Sequence, residues 1–329
     1  MNQLTLSLAV GDYDHVRDLL TGRVRAEGIE LLPVNLPVEE IFFRFTKFRE
    51  WDISEMSFGK YVSIASQDEG GLVAIPVFPS RMFRQSSFYI RVDGGITRPE
   101  QLAGKRVGVP EWAQTASIYS RGYLTHTVGI PLTDIQWFQA GVNEAGRTEK
   151  VALRLPAGVS LTPVLERSLN DMLVAGDIDM IMSARPPKDF ANRSGKLTRL
   201  FANSADVERE YYLQTGIFPI MHVIAMRRDT FERNPWIAMN LLKAFTEAKD
   251  RSVERALDIT CSHSPLPWGL EATQRAQSLF GDDLWPYGIE ANRTTIQAFI
   301  DFAYEQGICH RHMTVEELFP KQVQSTFKV

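Results

Sequence analysis

Apolar and polar residues alternate through Leu4-Thr5-Leu6-Ser7-Leu8, a period of two that predicts a strand. Gly11–His15 breaks the alternation and reads as a loop. Asp14 is the candidate cap of a helix carrying Val16, Leu19 and Leu20 and ending at Gly22. Gly28–Val34 predicts a second strand, and Val38, Ile41, Phe42 and Phe45 then recur at helical spacing. Asp52–Met56 predicts a third strand, with Ser57 as candidate cap for a helix reaching Ser66. The order β-α-β-α-β-α predicts an open parallel sheet with helices on its faces. In such sheets ligand groups gather beyond the carboxyl ends of the strands, which singles out Gly11–His15, Glu55–Ser57 and Pro79–Arg84.

The pattern continues in the same style. Ser87–Val92 predicts a strand, and Pro99–Pro110 a short helix, a turn and a strand. Glu111–Ser117 leads into a helix running to about Thr127, with Arg121 inside it facing cleft or solvent. Asp134–Phe138 predicts a strand, while residues 139–160 are polar and glycine-bearing and yield no assignment. Pro163–Ala175 predicts a helix, Gly176–Met182 a strand and Leu197–Phe201 an extended segment. Tyr211–His222 leads into a strand at Val223–Met226. Helices are predicted at Trp236–Ala256, Leu270–Leu279, Thr294–Glu305 and Thr314–Phe319. The division this implies is one lobe from residues 1–95 and 200–329, with the C-terminal helices wrapped around it, and a second from 96–199.

Length and composition agree: 329 residues suit two lobes, and 44% hydrophobic with 23% charged residues is ordinary for a soluble chain. A formal net charge of −4 gives nucleic-acid binding no electrostatic support. The two cysteines, Cys261 and Cys309, make no disulfide framework and read as buried thiols. Met1–Val10 has no basic start and no long apolar core, so it reads as a strand and not a signal peptide. With no apolar run near the ~20 residues of a membrane helix, the expectation is a cytoplasmic protein without membrane partners. No stretch marks an oligomer interface.

Ile75–Arg84 carries the first candidate chemistry. Pro76 and Pro79 mark a chain leaving a strand, and Arg81 and Arg84 follow beside Phe78 and Phe83. Guanidinium groups take carboxylates through paired hydrogen bonds, so this segment is expected to hold a small aromatic anion; the alternative is two solvated or locally paired arginines. Glu55 lies at a strand end, and Asp12 in the first loop. Thr115 and Ser117 lie at a helix N-terminus, where backbone N–H groups favour anions. Arg185 follows a strand and His222 begins one. Cys309-His310-Arg311-His312 offers three zinc-type donors without a fourth and reads as a solvated loop. Phosphate-binding loop, dinucleotide fingerprint, serine elbow and HExxH motifs are absent from the sequence.

Gly11-Asp12-Tyr13-Asp14, Glu27-Gly28-Ile29, Asp52–Ser57, Ile75–Arg84, Gly104–Glu111, Thr115-Ala116, Arg121-Gly122 and Pro219–His222, in that order over residues 1 to 225, together resemble the 4,5-dihydroxyphthalate decarboxylase family. Two departures stand out: Gln85 where relatives carry histidine, and Tyr119 near where they carry tryptophan. The resemblance implies a two-lobed α/β fold of the type II periplasmic-binding-protein kind, with an interlobe cleft and a C-terminal helical wrap. It implies conversion of 4,5-dihydroxyphthalate to protocatechuate and carbon dioxide. Arg81 and Arg84 would hold the carboxylates, helped by Thr115, Ser117 and Arg185; His222, then Glu55 and Asp12, would move protons. No organic cofactor is implied, and a divalent metal on the catechol oxygens is the one accessory group left open. The competing expectation is a non-catalytic small-anion binding protein, related to transporter solute receptors, using the same cleft.

Overall fold

The computed structural model describes residues 3–67 and 70–325; the first two residues of the predicted N-terminal strand lie outside them. The amphipathic pattern of the first hundred residues folds as β1 (Leu4–Ala9), α1 (Asp14–Leu20), β2 (Ile29–Val34), α2 (Val38–Phe48), β3 (Ile53–Ser57), α3 (Phe58–Ser66), β4 (Leu72–Ile75) and β5 (Phe88–Arg91). β6 (Arg106–Val109), α4 (Thr115–Tyr123), β7 (Gln136–Gln139), β8 (Leu161–Pro163), α5 (Leu169–Ala175), β9 (Met180–Met182), α6 (Lys188–Ala191) and β10 (Leu197–Arg199) follow. The remainder is α7 (Ser204–Thr215), β11 (His222–Arg227), α8 (Arg228–Arg233), α9 (Ile237–Ala256), α10 (Gly269–Phe280) and α11 (Arg293–Glu305).

Two sheets result. The first has the order β2-β1-β3-β11-β4, with β1 parallel to both neighbours and β11 antiparallel between β3 and β4. β11 is covered on both faces, which is why Val223–Met226 is continuously apolar and wholly buried. The second has the order β10-β5-β9-β6-β7-β8. β5 pairs with β9 and β10, so sheet membership changes between Ile75 and Phe88. α11 packs on both α3 and α4, placing the C-terminal helices against elements of both sheets.

Several local expectations are corrected. Asp14 does not cap α1; Tyr13 occupies the cap position, and the Asp14 carboxylate takes Ser252 and Arg255 of α9. The helix expected over Pro163–Ala175 begins only at Leu169, where Ser168 accepts the Asp171 amide at 3.1 Å. α7 was not expected: Tyr211 is its one buried residue, so it carries no apolar stripe to read. Thr314–Phe319 contains only a 3₁₀ turn, Glu316–Leu318. Cys309 is buried, but Cys261 is exposed. Arg121 faces neither cleft nor solvent; it is fully buried with its guanidinium 3.8 Å from the Trp112 ring centre, and burial pushes it down to about 9. No helix among the described residues is long and apolar enough to cross a membrane.

Candidate active site

The antiparallel register of β3 and β11 sets His222 opposite Ser57 and Ile224 opposite Glu55. Glu55 is fully buried at the centre of this sheet, yet each of its oxygens is engaged. Oε2 accepts the Gly11 amide at 2.8 Å. Oε1 accepts the Tyr13 hydroxyl at 2.7 Å and lies 2.6 Å from His222 Nδ1. The loop after β1 thus delivers two donors and the start of β11 the third. A close turn is needed: a Cβ at Gly11 would stand 2.7 Å from the Tyr13 ring.

Burial alone would raise Glu55, but the bond and charge of His222, then Tyr13 and the Gly11 amide, outweigh it and hold the carboxylate below its ordinary range. An ionised carboxylate only accepts, so His222 Nδ1 carries the proton and Nε2 is the free nitrogen. The Glu55 side chain is 0% exposed and that of His222 19%, so the imidazole is the member of the pair that meets solvent or ligand. Phe42 of α2 packs edge-on to the imidazole at 4.8 Å. Burial, reinforced by Glu55, drives the Tyr13 phenol far above its usual range, so it stays a donor. Beside it His15 is pushed down by burial, bonds the Pro79 carbonyl at 3.0 Å and packs against Trp285.

Glu55 and His222, both expected from their strand positions, are brought together. Asp12 is exposed beside Gly11, and its carboxylate is outside the three contacts on Glu55. The two arginines expected to hold carboxylates differ in their surroundings. Arg81 spends its guanidinium on the Phe218 and Pro286 carbonyls, at 2.9 and 2.7 Å, and on Asn292, and burial lowers it to about 10. Arg84 is buried against the sulfurs of Met221 and Met82, also at about 10. Thr115 bonds Ser57 Oγ at 2.9 Å and the Gly59 amide at 3.0 Å, joining α4 to the start of α3. Ser117 is buried beside Gln114. Arg185 is exposed and pairs with Glu39 of α2, linking the segment after β9 to the first sheet.

A second charged cluster escaped the sequence reading. Glu111, just past β6, is buried and met by Lys60 of α3 at 3.2 Å, Arg147 at 2.7 Å and Lys150 at 3.2 Å. Arg147 and Lys150 fall within the unassigned stretch 139–160, where no periodicity marks them. Tyr13 was visible only as part of the Gly11–Asp14 phrase. Metal-type donors meet elsewhere: Cys261 Sγ lies 3.3 Å from His263 Nε2 and 3.5 Å from Asp258, on the exposed loop between α9 and α10. In the segment weighed for zinc, His310 and His312 instead bond the Ala152 carbonyl and Asp301.

No family model matches the chain. A 4,5-dihydroxyphthalate decarboxylase from Comamonas testosteroni is 36% identical over 330 aligned positions, covering 100% of both chains. A protein of the same name from Pseudomonas putida is 37% identical over 213 residues, covering 64% of this chain and 83% of its own. Among solved structures, the periplasmic aliphatic sulphonate binding protein SsuA of Escherichia coli matches with a TM-score of 0.55 at 13% identity, covering 98% of this chain and 99% of that one. That likeness establishes the type II periplasmic-binding-protein fold.

Proposed function

The chain belongs to the 4,5-dihydroxyphthalate decarboxylase family, and we propose that it removes one carboxylate of 4,5-dihydroxyphthalate at the Glu55–His222–Tyr13 cluster, releasing carbon dioxide and protocatechuate. The observation that carries this reading is the 2.6 Å contact from buried Glu55 to His222 Nδ1. It fixes the tautomer and leaves Nε2 to exchange protons.

The chemistry asks for little more. The hydroxyl para to the departing carboxylate pushes electron density into the ring. Imidazolium at His222 gives its Nε2 proton to the carbon bearing that carboxylate. The bond to the carboxylate breaks, its electron pair restores the aromatic ring, and carbon dioxide leaves. His222 is then neutral and regains a proton from water, so each turnover consumes one proton. Glu55 and Tyr13 hold the imidazole in place and balance its charge. Nothing in this sequence is routed through Asp258, Cys261 and His263; a divalent metal on the catechol oxygens stays a matter for assay. The reading includes a cytoplasmic setting. A dianionic aromatic does not leave water for a bilayer unaided, so it is consumed where it is made.

The test follows protocatechuate and proton uptake in metal-free protein given 4,5-dihydroxyphthalate, with and without divalent metal. His222→Asn should lower kcat about 10²–10⁴-fold with ligand binding retained. Wild-type turnover in that variant would remove His222 from the chemistry. Binding by the unaltered protein without turnover would make it a receptor for the same ligand.

A further inference from the structure

Glu111 is a buried carboxylate with more cations than it needs. Its side chain is 2% exposed, and those of Lys60, Arg147 and Lys150 are 12%, 36% and 48% exposed, so the acid forms the floor and the cations the rim. The neighbouring Glu149, which accepts the Ala113 and Lys150 amides at 3.1 and 2.8 Å, also acts on Lys60, so three cations face two carboxylates and one positive charge is left over. The cluster draws on both sheets. Lys60 lies in the first turn of α3, and Arg147 and Lys150 in the segment after β7. Lys60 follows Ser57 by three residues; Ser57 is the strand partner of His222, and its hydroxyl accepts the Lys60 amide at 3.5 Å.

We propose that Lys60, Arg147 and Lys150, gathered on Glu111, form the subsite for the carboxylate that stays on the ring. This rests on the decarboxylase reading. The two carboxylates of the substrate ask for opposite surroundings. The departing one loses its charge as carbon dioxide forms, so a cation on it stabilises the ground state more than the transition state and slows the reaction. The retained one keeps its charge throughout, and cations there contribute affinity at no kinetic cost. The structure offers both environments: a cationic rim that includes Lys60, three residues past Ser57, and the apolar Phe42 ring against the His222 imidazole.

Arg147→Met and Lys150→Met test this in the full chain. Each leaves two cations on Glu111, and thermal melting checks the fold; Arg147→Lys serves as the conservative variant. We expect KM for 4,5-dihydroxyphthalate and the inhibition constant of protocatechuate, which keeps only the retained carboxylate, to rise together by about 30-fold. The turnover number should stay within about threefold, and Arg147→Lys should recover most of the affinity. A rise in KM without weaker product inhibition would place the departing carboxylate there and overturn the proposal, as would unchanged affinity in both methionine variants. Protein that shows no turnover, yet binds protocatechuate more weakly after Arg147→Met, would retain the subsite and remove the decarboxylase reading. Turnover with unaffected variants would do the reverse.

Discussion

Tyr13 and His222 converge on one oxygen of Glu55, and this sharing makes the phenol testable apart from the imidazole. Tyr13→Phe removes a hydrogen bond to a charged group, worth about 1.5–3 kcal/mol. It also removes one of the influences holding Glu55 down. The folded carboxylate lies below its unfolded value, so its stabilising contribution is complete above about pH 4.5 and is lost as pH falls through the folded value. With the phenol gone the folded value rises, the contribution shrinks, and the midpoint of acid unfolding moves to higher pH. An unchanged midpoint by circular dichroism would show that the phenol does not stabilise the ionised form. The arginines make a second pair of predictions. Arg81→Ala strands buried carbonyls and Asn292, and should cost about 1–3 kcal/mol for each acceptor left unsatisfied, measured by denaturant unfolding. Arg84 makes no hydrogen bond to a carboxylate among the described residues, so Arg84→Met should be neutral or stabilising, and a marked fall in melting temperature would contradict that. Sequence showed two arginines near a turn, but whether a guanidinium meets a ligand or the chain's own carbonyls depends on segments 137 to 211 residues away. Glu55 and His222 were legible from their places on predicted strands, but Glu55 is the middle residue of β3, and only the β3–β11 pairing brings the two together.

At the scale of elements, α4 is held by its own small residue. Gly122 faces Phe302 of α11, and an added Cβ would stand 2.4 Å from that ring. Alanine would gain about 1 kcal/mol of helix propensity. The overpacking cost is about 1–3 kcal/mol, and the ring cannot easily swing aside, because it packs against Tyr119 and His126 with centroids at 6.4 and 4.9 Å. Gly122→Ala should therefore lower the melting temperature, and a rise would mean the ring repacks freely. The same reasoning shows what periodicity delivers. β1, α2 and α9 were readable because each buries one regular face. α7 has no such face. The helix predicted over Pro163–Ala175 is shortened to α5 because Ser168 accepts the Asp171 amide and starts the helix at Leu169.

For the whole molecule, the alternating order of strands and helices announced the α/β class, but not how the two sheets are held at a common base. Phe299 of α11 does this. Its ring lies 4.7 Å from Phe58 of α3 and 4.8 Å from Tyr119 of α4, and it is fully buried. Hydrogen bonds reinforce the joint: Trp112 donates to the Gln306 carbonyl at 2.8 Å, Gln306 donates to the Ile118 carbonyl at 3.0 Å, and Tyr61 donates to the Leu318 carbonyl at 2.5 Å. Only residues far apart in sequence meet here, which is why no local pattern signalled it. Phe299→Ala should cost about 3–5 kcal/mol, the expected loss for a buried phenylalanine. Its location adds a second expectation. If the ring only filled a core, the variant would unfold in one weakened transition with unchanged dimensions. If it ties α3 to α4, the folded variant should also show a larger radius of gyration by X-ray scattering and a raised KM, because Lys60 of α3 and Arg147, in the segment after β7, have to meet on Glu111.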